Sequence, residues 1–301
     1  MSVLPPTGAV LGIDVGFAAT RPTTCFCLLA WNESQASLNS CITGSAATDR
    51  AAAISRLCGG RSLAAVALDG PLVSGLVHAR HYRVAEAILS RGVLQKRGKP
   101  GQTSAPTGQQ LHAHATALAK QALDLARIEP ASHWEPIHEK RIVEAFPNIF
   151  LAALIDEDRL PALARDASDR YWEVVVQPGA PNSREGTARP SRLEQLFRHL
   201  LPERDLRADL TQCGNHETRA GVICALTALC VAAGEHVAVG DIIDGDIMLP
   251  PRATWGRSPV EAGPWLEPVL RANVRAARVA RRAHPNHMQG RVATAAGLWF
   301  S

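Results

Sequence analysis

Val10-Leu11-Gly12-Ile13-Asp14-Val15-Gly16-Phe17 decides how the rest of the chain is read. An apolar run of this length reads as a strand buried on both faces. Aspartate is costly there, because a buried carboxylate needs a partner. The partners available to Asp14 are a metal ion, a basic group or backbone N–H donors. Capping of the following turn is the plainer alternative.

Two later stretches repeat the pattern. Leu63-Ala64-Ala65-Val66-Ala67-Leu68-Asp69 is a second buried strand ending in an acid, stopped by Gly70-Pro71. Arg141-Ile142-Val143-Glu144-Ala145-Phe146-Pro147 is a third, again stopped by proline. Between the first and second lie strands at 25–31 and about 36–43, then a helix from about Thr48 that ends at Gly59-Gly60. The order β-β-β-α-β brings the strand ending in Asp69 parallel to the first. Parallel neighbours deliver their C-terminal ends to one sheet edge, where open α/β sheets bind ligands. Asp14, Asp69 and Glu144 are therefore expected at that edge.

Further along, residues 78–91 read as a helix carrying Arg80, Arg83 and Glu86. Residues 92–108 are a long basic loop, with Lys96, Arg97 and Lys99, and loops of this length are often functional. Residues 109–128 form a helix. Asn148 is expected to cap a short helix, 160–172 is helical, and Glu173 to Val176 continues it or forms a short strand. Ser191 opens a helix whose apolar face is Leu193, Leu196, Phe197 and Leu200. His216-Glu217-Thr218-Arg219 opens a helix that is apolar nearly all round, hence buried. A small hairpin turns at Asp244-Gly245. The segment 264–283 is a basic helix with Arg271, Arg275, Arg278 and Arg282 on one face, either a solvated surface or a contact for phosphate backbones. Residues 291–301 give no clear signal.

Composition narrows the function classes. The chain has 301 residues, 46% of them hydrophobic, enough for a sizeable core. A net charge of +4 permits an anionic partner such as nucleic acid without requiring one. Aromatics are too sparse for a base-stacking platform. Seven scattered cysteines with no C-x-x-C pair fit neither a disulfide framework nor a structural zinc site. No signal peptide and no membrane span is expected, so the chain reads as cytoplasmic. Helices at 109–128 and 191–202 either enlarge the core or serve a homodimer.

No phosphate-binding glycine loop, dinucleotide fingerprint, H-E-x-x-H or nucleophile elbow occurs. His112 and His114, two apart on a helix, point to different faces and make a poor metal pair. What remains is a set of acids at the ends of buried elements: Asp14, Asp69, Glu144 and Glu217. Oxygen ligands converging on one edge suit Mg²⁺ or Mn²⁺, and two such ions can drive phosphodiester hydrolysis.

These stretches resemble the DUF429 family of ribonuclease H-like proteins. The resemblance rests on G-I-D-V-G-F (12–17), A-L-D-G-P-L (67–72), the Arg80…Glu86 helix, E-A-F-P (144–147), H-E-T-R-A-G-V-I-C-A-L-T-A (216–228) and V-G-D-x-x-D-G-D-I-x-L-P (239–250). It implies an α/β fold with a mixed five-stranded sheet, three antiparallel strands followed by parallel ones, flanked by helices. The whole of 1–301 is then one such domain, with helical insertions at about 78–135 and 150–205 and a basic helical extension at 264–301. It implies a metal-dependent nuclease in which Asp14, Asp69 and Glu144 hold Mg²⁺ or Mn²⁺ and Glu217 is the acid on the last helix. Many members carry an aspartate where this chain has Arg219. Either Glu217 substitutes from two residues away, or Arg219 supplies positive charge and the last metal position is lost. Two other functions fit the same pattern. A sugar- or acetate-kinase-like phosphotransferase also begins with Gly-x-Asp-x-Gly, although 130–250 offers no second glycine-rich phosphate loop. A non-catalytic module binding nucleic acid or a partner would use the acidic edge and basic helix alone.

Overall fold

The computed structural model describes residues 4–73, 82–97, 100–130, 140–161, 167–179, 189–241, 244–281, 291–294 and 297–300. The chain opens with β1 (Gly8–Asp14), β2 (Thr24–Trp31) and β3 (Gln35–Thr43), as the apolar runs and turn residues predict. Helix α1 (Ala47–Cys58) ends at Gly59, whose φ of 54° is the left-handed value a helix C-terminus favours in glycine. A two-residue β4 (Ser62–Leu63) precedes β5 (Ala65–Asp69). The next elements are α2 (Val84–Leu89), α3 (Pro106–Leu125), the short β6 (Arg127–Ile128) and β7 (Ile142–Ala145). Then come α4 (Pro147–Leu154), α5 (Ala167–Val176), α6 (Arg192–Leu200), the short β8 (Asp205–Leu206) and α7 (His216–Ala232). The hairpin β9 (Val237–Asp241) and β10 (Gly245–Leu249) leads to α8 (Leu266–Arg281), β11 (Arg291–Thr294) and β12 (Gly297–Phe300).

The fold is α/β, a large mixed sheet flanked by helices. Its strand order is β12-β11-β9-β10-β7-β5-β1-β2-β3-β8. The five expected strands are its centre: β1, β2 and β3 antiparallel, with β5 parallel to β1 and β7 parallel to β5. The sheet is wider than expected at both edges, and at one of them the short β8 pairs parallel to β3. The hairpin joins it through β10, parallel to β7, and β11–β12 extend it by pairing with β9. In the described part of 264–301, α8 is followed by two strands, so this part is not helical throughout. Four residues per strand are too few to show a period-2 pattern against the neighbouring glycine and alanine.

Local chemistry explains the remaining boundaries. Pro147 takes the first helical position of α4, where its missing N–H costs nothing, so Phe146 and not Asn148 is the cap residue. Residues 173–176 continue α5. Ser191 and Glu194 form a reciprocal capping box on α6. Among the described residues no helix is long and apolar enough to cross a membrane.

Helix α7 is the central buried element. It lies across β1, β2 and β5, and twelve consecutive residues, Ala220 to Val231, are buried. It approaches so closely because Gly12 of β1 faces α7 and Gly221 of α7 faces β2. A Cβ on Gly12 would overlap the backbone of Ala225 and Cys224, and one on Gly221 would sit 2.8 Å from Cys25 Sγ. The helix runs antiparallel to β1, so its N-terminus ends beside Asp14. We expect Gly12→Val to destabilise the protein by about 3 kcal/mol or more, through forced overpacking against backbone that has no rotamer to yield. The shift in urea midpoint measures it, and an unchanged midpoint would contradict this seating of α7.

Candidate functional site

Asp14 and Asp69 are register partners across the β1–β5 pair, so both side chains leave the same face of the sheet at its C-terminal edge. That face carries α7, since Val10, Ala67 and Val143 share one apolar cluster with Cys224 and Ala225. Both carboxyls are partly buried, and what surrounds them disfavours charge. Burial pushes Asp69 up to about 7, with Glu144 adding to it. Burial also raises Asp14 well above the usual carboxylate range, with Asp69 and then Glu217 contributing repulsion.

The loops after the two strands are braced from the other face. Arg50 of α1 donates to the carbonyl of Gly16 at 2.5 Å and to Thr24 Oγ1 at 3.1 Å. His114 of α3 stacks on Phe17, with ring centroids 5.6 Å apart. His112 lies 2.8 Å from the carbonyl of Pro71. The two histidines of α3 thus each hold one of the turns that follow Asp14 and Asp69. Neither bracing role was legible from their i,i+2 spacing.

Glu144 sits on the opposite face. Its register partner in β5 is Leu68, while Asp69 pairs with Ala145. The pleat therefore turns Glu144 toward α2, where Arg83 meets it with two nitrogens at 2.5 and 2.8 Å. The backbone N–H of Leu72 is 3.4 Å from it. Arg83 also donates to Glu86 at 2.8 Å and to the carbonyl of Asp244 at 3.3 Å. Glu86 accepts from the Thr103 backbone at 3.2 Å as well as from the Thr103 hydroxyl. Asp244 accepts from the first N–H of α2, on Val84, at 2.8 Å. This buried network ties α2, the loop after β5 and the β9–β10 turn together. Burial raises the Glu144 carboxyl, with Arg83 opposing. The Arg83 guanidinium is disfavoured by burial but held charged, well above its ordinary value, by Glu144 and Glu86.

Glu217 stands on the first turn of α7, 3.8 Å from Arg21 and near enough to Asp14 to be felt by it. Arg219, two residues on, donates to the carbonyl of Cys213 at 2.8 Å and to Asp169 of α5 at 2.9 Å. His216 Nδ1 lies 3.5 Å from the same Asp169 oxygen. A cavity of about 210 Å³ opens here, and Asp69, Asn148, Asp169, His216 and Arg219 all line it. Asp169 carried no signal in the sequence, since it lies in the first turn of α5, far along the chain from the strand-end acids.

The basic residues are dispersed. Arg97 donates to the carbonyls of Leu160 and Pro161 at 3.2 and 3.0 Å, so it clamps the chain and does not offer itself to a partner. Arg271 pairs with Glu267 at 3.3 Å, and Arg275 is exposed on α8. The α8 helix is anchored by the buried Asn273, whose amide donates to the carbonyls of Ile88 and Arg91. Arg80, Lys99 and Arg282, and the side chains of Lys96 and Arg278, lie outside the described residues.

Among the described residues no three His, Cys, Asp or Glu side chains form a group able to hold a metal ion. The Asp14–Asp69 pair itself still suits a hard divalent cation. Mg²⁺ uses one or two carboxylates and completes its shell with water and substrate phosphate. The nearby thiols do not compete for it. Burial, with Asp14 adding, pushes Cys25 up to about 12, and burial likewise raises Cys224. Protonated thiols are poor ligands, so the donor set is oxygen. No family model matches the chain, and no curated protein or solved structure matches it.

Two outcomes are expected. Arg83→Met leaves Glu144 and Glu86 buried without their cation and should cost about 3–5 kcal/mol in urea unfolding; a loss below 1 kcal/mol would contradict the network. The second concerns pH. An unfolded aspartate titrates near 3.8 and folded Asp69 at about 7, so the folded state holds the extra proton between them. Its contribution to stability therefore falls as pH rises from about 4 to about 7. Asp69→Asn should melt higher than wild type at pH 8 and not at pH 4, and the reverse order would overturn the assignment.

Proposed function

We propose that the protein is a metal-dependent phosphodiesterase acting on nucleic acid, with Asp14 and Asp69 holding Mg²⁺ or Mn²⁺. One observation carries this reading: two carboxylates in strand register, partly buried and repelling each other, at the sheet edge beside an accessible cavity. Groups so arranged are candidates for function, because burial without compensation is otherwise costly. Glu144 makes the contrast, since its charge is met by Arg83 within the protein.

When bound, the cation supplies positive charge against a phosphate oxygen and lowers the pKa of a bound water. The chain's own groups do the remainder. Asp14 and Asp69 bind and orient from adjacent strands whose following turns are pinned by Arg50, His112 and His114. Glu217 adds negative charge on the α7 side of Asp14. Glu144 acts as a positioning residue, since through Arg83 and Leu72 it fixes the loop behind Asp69. Arg219, on the cavity wall, offers a guanidinium to a phosphate. The central order β3-β2-β1-β5-β7 supports the ribonuclease H-like resemblance, and with it the nuclease reading. Arg275 and the neighbouring face of α8 are the surface proposed for more distant backbone phosphates. The cysteines among the described residues are all free, which fits a reducing, cytoplasmic setting.

The test is hydrolysis of DNA and RNA oligonucleotides, single-stranded and duplex, with Mg²⁺ or Mn²⁺. Asp14→Asn and Asp69→Asn should each lower the rate by more than the roughly 10–100-fold that loss of an outer partner costs at a metal site. Mn²⁺ should raise the melting temperature of wild type at pH 8 and leave Asp14→Asn unchanged. Cleavage that survives Asp14→Asn, or ATP-dependent phosphorylation of a small molecule with no cleavage, would overturn the reading.

A further inference from the structure

The cavity beside Asp69 brings acids and hydrogen-bond donors together. Asp69, at the end of β5, and Asp169 of α5 line it with Arg219 and His216 from the first turn of α7. Asn148, from the start of α4, adds an amide. The volume is about 210 Å³, below the range usual for drug-sized ligands, and a phosphate with part of a sugar fits such a space where a duplex does not. Guanidinium is the side chain best matched to a phosphate, which it meets with two parallel N–H bonds. In this structure that guanidinium is already held. Its NH1 is 2.9 Å from Asp169 Oδ1, and His216 Nδ1 is 3.5 Å from the same oxygen. One carboxylate thus lies against both Arg219 and His216.

We infer that this cavity is a subsite for a compact phosphate group, bound by Arg219 and His216, with Asp169 as its built-in competitor. The inference rests on the phosphodiesterase reading for its role and deepens it: the enzyme takes substrates that present a terminal or locally unpaired nucleotide. Asp169 accepts the Arg219 hydrogen bond and yields it to an entering phosphate. Asp169 is about one-third exposed and Arg219 about one-fifth, so the pair is reachable without opening the core. The competition has a definite sign. Removing the Asp169 charge strengthens phosphate binding, whereas a merely structural Asp169–Arg219 pair would lose binding with either partner.

The experiment is isothermal titration of the full chain with inorganic phosphate, and separately with 5′- and 3′-mononucleotides, in EDTA so that no divalent cation contributes. Wild type should bind phosphate. Arg219→Gln should weaken binding at least tenfold, and Asp169→Asn should tighten it several-fold. Thermal melts identify any variant that is unfolded. For those, the His216 ring resonances of wild type, shifted by phosphate, give the readout instead. Mononucleotides that bind tighter than inorganic phosphate support the nucleotide assignment, and equal binding would limit the site to free phosphate and overturn that part. No binding to wild type, or an Asp169→Asn variant that binds no better than wild type, would overturn the inference. Phosphate binding in EDTA together with no Mn²⁺-induced rise in melting temperature would sink the metal site alone, and the converse pair of results would sink this subsite alone, so the two failures remain separable.

Discussion

Everything at the sheet edge depends on how closely α7 lies on β1. Gly12 and Gly221 remove the side chains that would hold strand and helix apart, and the helix backbone then rests on the strand. This contact sets the height of the α7 N-terminus above the sheet. It brings Glu217 to Asp14 and Arg219 to the cavity that Asp69 lines. An ordinary side-chain layer between them would lift those residues away from the two aspartates. The apolar residues from Ala220 to Val231 then fix the helix by burial on all sides, which no single polar contact could do.

The edge solves two electrostatic problems in different ways. On the α2 face, three acids and one arginine form a closed network, with Glu144 and Glu86 sharing the Arg83 guanidinium and Asp244 capping the helix beside it. Such a network is costly to bury and more costly to break, so it fixes geometry. On the α7 face, Asp14 and Asp69 have burial and like charges acting on them. Among the described residues the protein compensates for the first set internally, and the proposed function assigns the second to an entering cation.

Much of this was legible in the sequence. Asp14 and Asp69 stood out because an acid is costly in a buried strand, and the β-β-β-α-β order placed their strands side by side. Glu144 was grouped with them on strand position alone. The spacing to the following proline distinguishes it: Asp69 and Ala145 each stand two residues before a proline, Glu144 three before, and one residue of register changes the face. The Arg83–Glu86 pair was visible as helix residues, but its burial follows from α8 and the β9–β10 hairpin closing over it. Those are tertiary contacts that local pattern does not carry. Asp169 and the two histidines of α3 act on loops distant in sequence, and nothing in their own neighbourhoods marks them.

The proposed function needs Asp14 and Asp69 to be a pair that a divalent cation completes. The most direct measurement is a carboxyl-carbon NMR titration of the two aspartates, with and without Mg²⁺. Without the cation, Asp69 should titrate at about 7, far above an ordinary carboxylate, and Asp14 should also be raised. With Mg²⁺, both should fall to the ordinary range or below, because the cation favours the charged form. Two aspartates that titrate normally, or raised values that Mg²⁺ leaves untouched, would contradict it.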